Sequence, residues 1–570
     1  MRRKTALSLL LLPSALGVAA FFLLPLLLVL GSSLGEGGFA CYARTLRNPM
    51  FRLGAGNFLL FSLVAMATAM AVSLGLALLL RRMGRGAGPL LFCLLLPFVV
   101  PSGSTAFFWN SVFGLHGVIN RLLYQWGLPV VMWDSTRAGI LIPVVIYLWR
   151  SCGFFALVLL VGLRQIPEGY YQLARLEGAG RWTLFRRVTL VYLTPTLLVT
   201  LLLAFMATFR SSRELFMLFG SYPGRPLYFF QHFIANQLVS MDLPVLSAAA
   251  VLVICAVALA ALPLWRGGER TFAAFQGRGE WNAPERARRP GRGEAVLALL
   301  LAVLFLLPVL FTLATSLMPA AEAAGRYSPR LLEQNAGSIS RGGLHFVEPA
   351  IFPARPTLEQ YTGVLLDPVY LRRFWNGVAL LLPILALHLA VSVPAAYALF
   401  RVRGRWARVL LPVYLLLTLL PPQVMLTPQY MLFRHLPDAL APLAVILPAA
   451  FAPVGACLIR LQLQGFPAQC VEAAQLDGAG EWRSFTRVVL PGMRSSVAVL
   501  IIYLFAEYWN LVDQAVVFLG GGYRLPLSVA LSDMLGTGLG VLSAGSVIYL
   551  LPAVLVFAVC LLWLRQLAAE

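Results

Sequence analysis

Twelve apolar runs, each about 20 residues long, follow one another along the chain with short polar segments between them. As a helix, such a run matches the hydrocarbon core of a bilayer, roughly 30 Å thick. Inside hydrocarbon the backbone has no water to bond, so a helix, which closes its own hydrogen bonds, is the economical way across. The runs lie near 6–30, 56–80, 89–112, 138–163, 189–209 and 245–265, then near 295–318, 375–400, 408–427, 441–461, 495–512 and 542–564. The prediction is an all-α, polytopic membrane protein of about twelve transmembrane helices in two six-helix halves. Only 12% of the residues are charged and 60% are hydrophobic, too little charge to cover a soluble protein of this size.

The net charge of +21 invites comparison with nucleic-acid binders. The arginines, however, sit in short clusters between apolar runs and form no extended basic face, so a nucleic-acid partner is not expected. The pattern instead fits basic residues held in cytoplasmic loops. With Arg2, Arg3 and Lys4 inside, the further inside segments are 81–88, 164–188, 266–294, 401–408 and 462–494, and both termini fall in the cytoplasm. The first run is too long for the usual signal-peptide core of roughly 7–15 residues, and is expected to be an uncleaved span. Seven cysteines without a C-x-x-C pair, and five dispersed histidines, indicate neither a metal site nor a disulfide framework.

Segment 266–294, RGGERTFAAFQGRGEWNAPERARRPGRGE, is charged and rich in Gly and Arg, without apolar periodicity. It reads as a flexible cytoplasmic linker between a first half, 1–265, and a second half, 295–570. Halves of similar length invite a search for a repeat, and one is present. IPEGYYQLARLEGAGRWTLFRRVTL (166–190) and FPAQCVEAAQLDGAGEWRSFTRVVL (466–490) align without a gap, displaced by 300 positions. Pro167, Ala174, Leu176, Gly178, Ala179, Gly180, Trp182, Phe185, Val188 and Leu190 recur at Pro467, Ala474, Leu476, Gly478, Ala479, Gly480, Trp482, Phe485, Val488 and Leu490. Each copy reads as two short helices joined at Gly, which permits a sharp turn. Trp and Phe, three residues apart, are expected to anchor the second helix against the membrane domain.

These segments resemble the EAA loop of binding-protein-dependent ABC importer permeases, E-A-A-x-x-D-G-A with a later Leu-Pro. The second copy carries the pattern at Glu472, Ala473, Ala474, Asp477, Gly478, Ala479, Leu490 and Pro491. The first has Gln172 at the Glu position, Leu173 at the first Ala, then Ala174, Glu177, Gly178 and Ala179, with Val191 at the Pro. The resemblance implies a type I ABC importer permease fold, in a bacterial or archaeal cytoplasmic membrane. It also implies that the loops couple to two cytoplasmic ATP-binding subunits, in whose grooves the family's loop Glu can pair with a basic residue. An extracytoplasmic substrate-binding protein is implied as a further partner. Stretches 117–129 and 148–168 look like the first permease of maltose-type sugar importers, and 356–365, 374–381, 394–405 and 507–510 like the second, as if the pair were fused head to tail. No G-x-x-x-x-G-K-[ST] loop occurs, so no cofactor is expected in this chain, and ATP and magnesium are expected on the partner ATPase.

Ionisable residues within spans are candidates for the substrate pathway. Arg150 lies within the fourth run; Phe209, Arg210, Arg213 and Glu214 end the fifth; Glu507, Tyr508, Trp509 and Asn510 end the eleventh. Flat aromatic faces with hydrogen-bonding groups between them would suit a sugar. Snorkelling to the interface, or mutual pairing that holds the fold, would explain the same residues. Six plus six spans also occur in secondary transporters, and RRMGRGAG (81–88) has a superficial likeness to a facilitator loop. It lacks the Asp of that motif, and that fold gives no reason for the duplicated loops. A non-transporting scaffold is a third reading. Within the importer reading, a fused iron(III) or polyamine permease is the runner-up to a sugar permease.

Overall fold

The computed structural model describes residues 3–275, 291–327 and 346–566, apart from 36–37, 165, 241, 351, 403–404, 464–465, 522–523 and 534–537. Among the described residues there are helices and turns and no strand. Nine helices there are long and apolar enough to cross a bilayer, and three sharply bent pairs bring the number of spans to twelve if each pair counts once. The nine fall on nine of the predicted runs. The other three runs, 89–112, 408–427 and 495–512, fall on the bent pairs.

Two of the bends have a covalent cause. Ala87–Phe98 and Ser102–Gln125 meet at 93°, and Val409–Leu419 and Pro422–Phe433 at 101°. Pro101 and Pro421 stand at the breaks as the N-cap residues of the second helices. Proline lacks the N–H that would continue the ladder, and it pushes the preceding residue out of the helical region. The third bend, 75° between Glu481–Gly492 and Arg494–Trp509, has no counterpart in the first half, where Arg181–Phe219 runs on as one helix. Pro491 and Gly492 disfavour an unbroken helix there, whereas Val191 and Tyr192 hold the same register in the first half.

Packing joins the halves into one body. In the first half the 141–164 helix packs against 49–83 and 190–219. It also lies close to the 87–95 helix, since a Cβ on Gly153 would stand 1.8 Å from the Leu94 carbonyl oxygen. In the second half 368–401 packs against 438–462 and 494–509, which in turn packs on 539–566. The first helix of each half also crosses to the other. The 3–18 helix lies on 368–401, Ser14 Oγ is 2.9 Å from the Tyr414 hydroxyl, and Phe21 stacks on Phe433 and Phe451. The 292–316 helix packs on 539–566 and on 87–95, and Trp149 Nε1 donates to the Phe305 carbonyl at 2.9 Å. A single apolar core therefore runs through both halves.

The expected linker differs in part. The helix Leu243–Phe275 continues through its first ten residues, and the next helix already begins at Arg292. Positions 276–290 lie outside the described residues. The second half also carries an addition after its first span: helices Ala320–Tyr327 and Glu359–Leu365, and a stretch near 347 whose Val347 N–H donates to the His116 carbonyl of the first half at 2.8 Å.

Candidate functional site: paired docking loops and a central ion-pair cluster

Each repeated loop forms a helix, Glu168–Leu176 in the first half and Ala468–Leu476 in the second. Both end in the same way. Gly178 has φ +81° and Gly478 φ +84°, the left-handed region that a side chain disfavours. Gly178 N–H donates to Arg175 O at 3.0 Å and Ala179 N–H to Ala174 O at 2.9 Å. Gly478 N–H donates to Gln475 O at 3.1 Å and Ala479 N–H to Ala474 O at 2.9 Å. This is a Schellman termination, in which the left-handed Gly lets two amides satisfy the last carbonyls of the helix. A five-residue π-helical turn follows in both halves, Phe185–Thr189 and Phe485–Val489, a wide turn frequent at functional sites.

Exposure repeats as closely as conformation. Gln172, Glu177 and Gly178, and likewise Glu472, Ala473, Asp477 and Gly478, are exposed, while Ala174, Ala179, Ala474 and Ala479 are half-buried. Large apolar side chains stand in water beside them: Leu176 is 85% exposed, Leu476 89%, Trp182 69% and Trp482 60%. These values correct one expectation. The tryptophans do not anchor the second helix; Phe485 is buried, Phe185 is half-buried, and each Trp ring leans on its Phe from outside at 5.6 and 5.9 Å. Residues three apart on a helix lie about 60° apart round the axis, enough to turn Phe inward and leave Trp facing out. The result is a pair of exposed apolar surfaces, with Glu472 and Asp477 beside the second and Arg175, Glu177 and Arg181 beside the first, and monomeric proteins seldom leave such apolar surface uncovered.

About 30 Å along the 190–219 helix from its loop, charged residues of both halves converge. Arg150 pairs with Glu214, Arg210 with Glu507, and Arg213 with Asp513 at 3.1 Å. The last two pairs cross from one half to the other, and the cluster is balanced, three arginines against three carboxylates. A narrow cavity of about 30 Å³ lies among these groups, room for about one water and not for a sugar ring.

The cluster also repairs broken backbone. At the Pro101 break, Val99 O accepts from Asn510 Nδ2 at 3.0 Å and Val100 O from Arg150 at 3.0 Å. Where the eleventh span ends, Asn510 O accepts from Arg213 at 2.8 Å and Leu511 O from Ser528 at 2.6 Å. In hydrocarbon each such carbonyl would otherwise cost several kcal/mol.

Of the nine pathway candidates, Arg150, Arg210, Arg213, Glu214, Glu507 and Asn510 line the cavity. The structure places the other three elsewhere. Phe209 is buried against Phe58 at 4.9 Å, Trp509 stacks on Tyr549 at 4.8 Å, and the Tyr508 hydroxyl donates to Ala449 O at 3.3 Å. The aromatic surfaces expected to meet substrate are used in packing, and Phe98 and Tyr147 line the cavity instead. Sequence reasoning missed Asp513, whose pairing with Arg213 only the packing of the halves brings about.

Residues 67–265 and 389–568 each match the family described as "Binding-protein-dependent transport system inner membrane component". Together the two matches cover more than half of the chain. The chain belongs to this family. Among curated relatives, it is 30% identical over 189 residues to the trehalose/maltose transport system permease protein MalF of Thermococcus litoralis, covering 33% of this chain and 64% of that protein. It is 29% identical over 220 residues to the sulfoquinovosyl glycerol transport system permease protein SmoG of Agrobacterium fabrum, covering 38% and 70%. A solved structure of a bacterial ABC transporter involved in import of the acidic polysaccharide alginate aligns with a TM-score of 0.42 at 19% identity, covering 47% of this chain and 96% of that one. This permease is therefore a multi-pass membrane subunit of an ABC importer, and its family domain occurs twice in one chain.

Proposed function

We propose that this permease carries a sugar or oligosaccharide inward by alternating access. On this reading, two cytoplasmic ATPase subunits drive it, and an extracytoplasmic binding protein delivers the cargo. The observation that carries the reading is the pair of docking loops, repeated in sequence, helix termination and apolar exposure, each offering an exposed apolar surface to one of two like partners. The carbohydrate names of the relatives support the cargo class. The cavity at the central cluster has no room for a sugar; opening a path there requires the Arg210–Glu507 and Arg213–Asp513 pairs to separate. ATP and magnesium belong to the partner subunits.

Identification of what co-purifies with the chain in mild detergent tests the assembly. An ATPase and a sugar-binding protein are expected; a stable complex with neither would overturn the reading. Within the complex, Glu472→Ala is expected to reduce substrate-stimulated ATP hydrolysis more than Gln172→Ala. Only Glu472 can make a charge-assisted contact, and among the described residues it makes no ion pair that would have to be given up. Equal effects would count against unequal docking.

A further inference from the structure

We infer that Arg401 and Glu481 are positioning residues that fasten the second docking loop to the 368–401 spanning helix and convey its movement into the membrane, an inference that rests on the importer reading above. The two side chains are 7% and 3% exposed, with Arg401 Nη2 3.3 Å from Glu481 Oε1. Glu481 also accepts from Gln475 Nε2 at 2.9 Å and from the Tyr397 hydroxyl, and Arg401 donates to Gln475 Oε1 at 3.1 Å. Three elements meet in this knot. Gln475 closes the docking helix, Glu481 opens the helix that follows it, and Tyr397 and Arg401 form the last turn of the 368–401 helix. The Tyr397 ring lies 5.3 Å from Phe485, where the π-helical turn begins.

A buried knot of charged and polar side chains, in which the carboxylate takes several oriented hydrogen bonds, resists bending and slipping. Push on the docking helix therefore reaches the 368–401 helix, which packs on helices of both halves, 3–18 among them. The first half is fastened differently. Arg81, at the matching end of the 49–83 helix, reaches Glu168 at 3.4 Å and the Tyr171 hydroxyl at 3.0 Å, near the start of the docking helix and not its end. The positions matching Gln475 and Glu481 are Arg175 and Arg181, both exposed, so the knot cannot form there. The second loop is thus held dry at its C-terminal end, the first wet at its N-terminal end.

The test uses the full chain with the ATPase that co-purifies, reconstituted in lipid, comparing Arg401→Met, Glu481→Gln and Arg81→Met. Membrane yield, ATPase co-purification and substrate transported per ATP are measured, together with the mobility of a nitroxide at Ala473→Cys. Arg401→Met is expected to keep the complex and basal hydrolysis, to loosen the label, and to lower transport per ATP about tenfold, the scale of coupling between linked sites. Arg81→Met is expected to lower it less. If Arg401→Met fails to accumulate, Glu481→Gln, which keeps the shape and removes the charge, gives the same readout. Unchanged transport per ATP with an intact complex overturns the inference, as does a loss explained wholly by lost assembly. If the wild-type chain recruits no ATPase, the importer reading fails. The label then decides the knot alone, and unchanged mobility in Arg401→Met sinks it.

Discussion

Gly478 shows what one residue decides. Its φ of +84° is open to glycine and strained for most others, while nothing lies within 4 Å of where a Cβ would stand. The cost of a side chain there is thus conformational and not steric, roughly 1–3 kcal/mol for a β-branched residue. Gly478→Val is expected to insert and fold normally yet lose ATPase co-purification, because the helix after the turn is re-aimed. Gly478→Asn, which tolerates the left-handed region, should retain most of the complex. Comparing membrane yield with co-purification separates the outcomes; normal yield with a normal Val complex would refute docking at this loop. Arg213 makes the complementary point about charge. It pairs across the halves with Asp513, so opposite charges meet where the two halves join.

At the scale of elements, the informative features are the broken helices. Pro101 and Pro421 end their helices inside apolar runs, and the carbonyls set free must find donors where water is scarce. Asn510 answers at Val99 from the other half, so a break in one half is closed by the end of a helix in the other. Asn510→Leu keeps the bulk of the side chain and leaves the Val99 carbonyl without that donor. Destabilisation of about 1–3 kcal/mol is expected, read as an earlier thermal unfolding of the purified chain in detergent. An unchanged midpoint would show that the Val99 bond contributes little. The knot at Arg401 and Glu481 belongs to the same class, polar groups buried where an element changes direction.

For the whole molecule, the first helix of each half lying on the other half makes one body of the two. The ends that must be bridged are Phe275 and Arg292, both already helical. From the arginine distribution the intervening segment and both termini are expected in the cytoplasm. Glu280→Cys in a chain otherwise free of cysteine should therefore resist membrane-impermeant thiol reagents applied to intact cells, and react once the cells are opened. Labelling from outside would invert the topology, and with it the side on which the docking loops meet their partners.

The sequence by itself determined the class of fold, the spans and the two repeated loops. Each of these rests on a local or periodic signal: apolar runs of bilayer length, arginine clusters, and a gapless repeat. It even carried the asymmetry of the loops, through Gln172 against Glu472. Tertiary structure alone decided which polar residues meet. Aromatic residues read as a sugar path, Phe209, Tyr508 and Trp509, are packed away, because side-chain direction at a helix end depends on the neighbouring helix and not on the residue's own spacing. Partners for Arg150, Arg210 and Arg213 come from chain positions between 64 and 300 residues distant. Arg401 reaches Glu481 across 80. Pairings of that range are fixed by how helices pack and where they break, and no local pattern of residues encodes them.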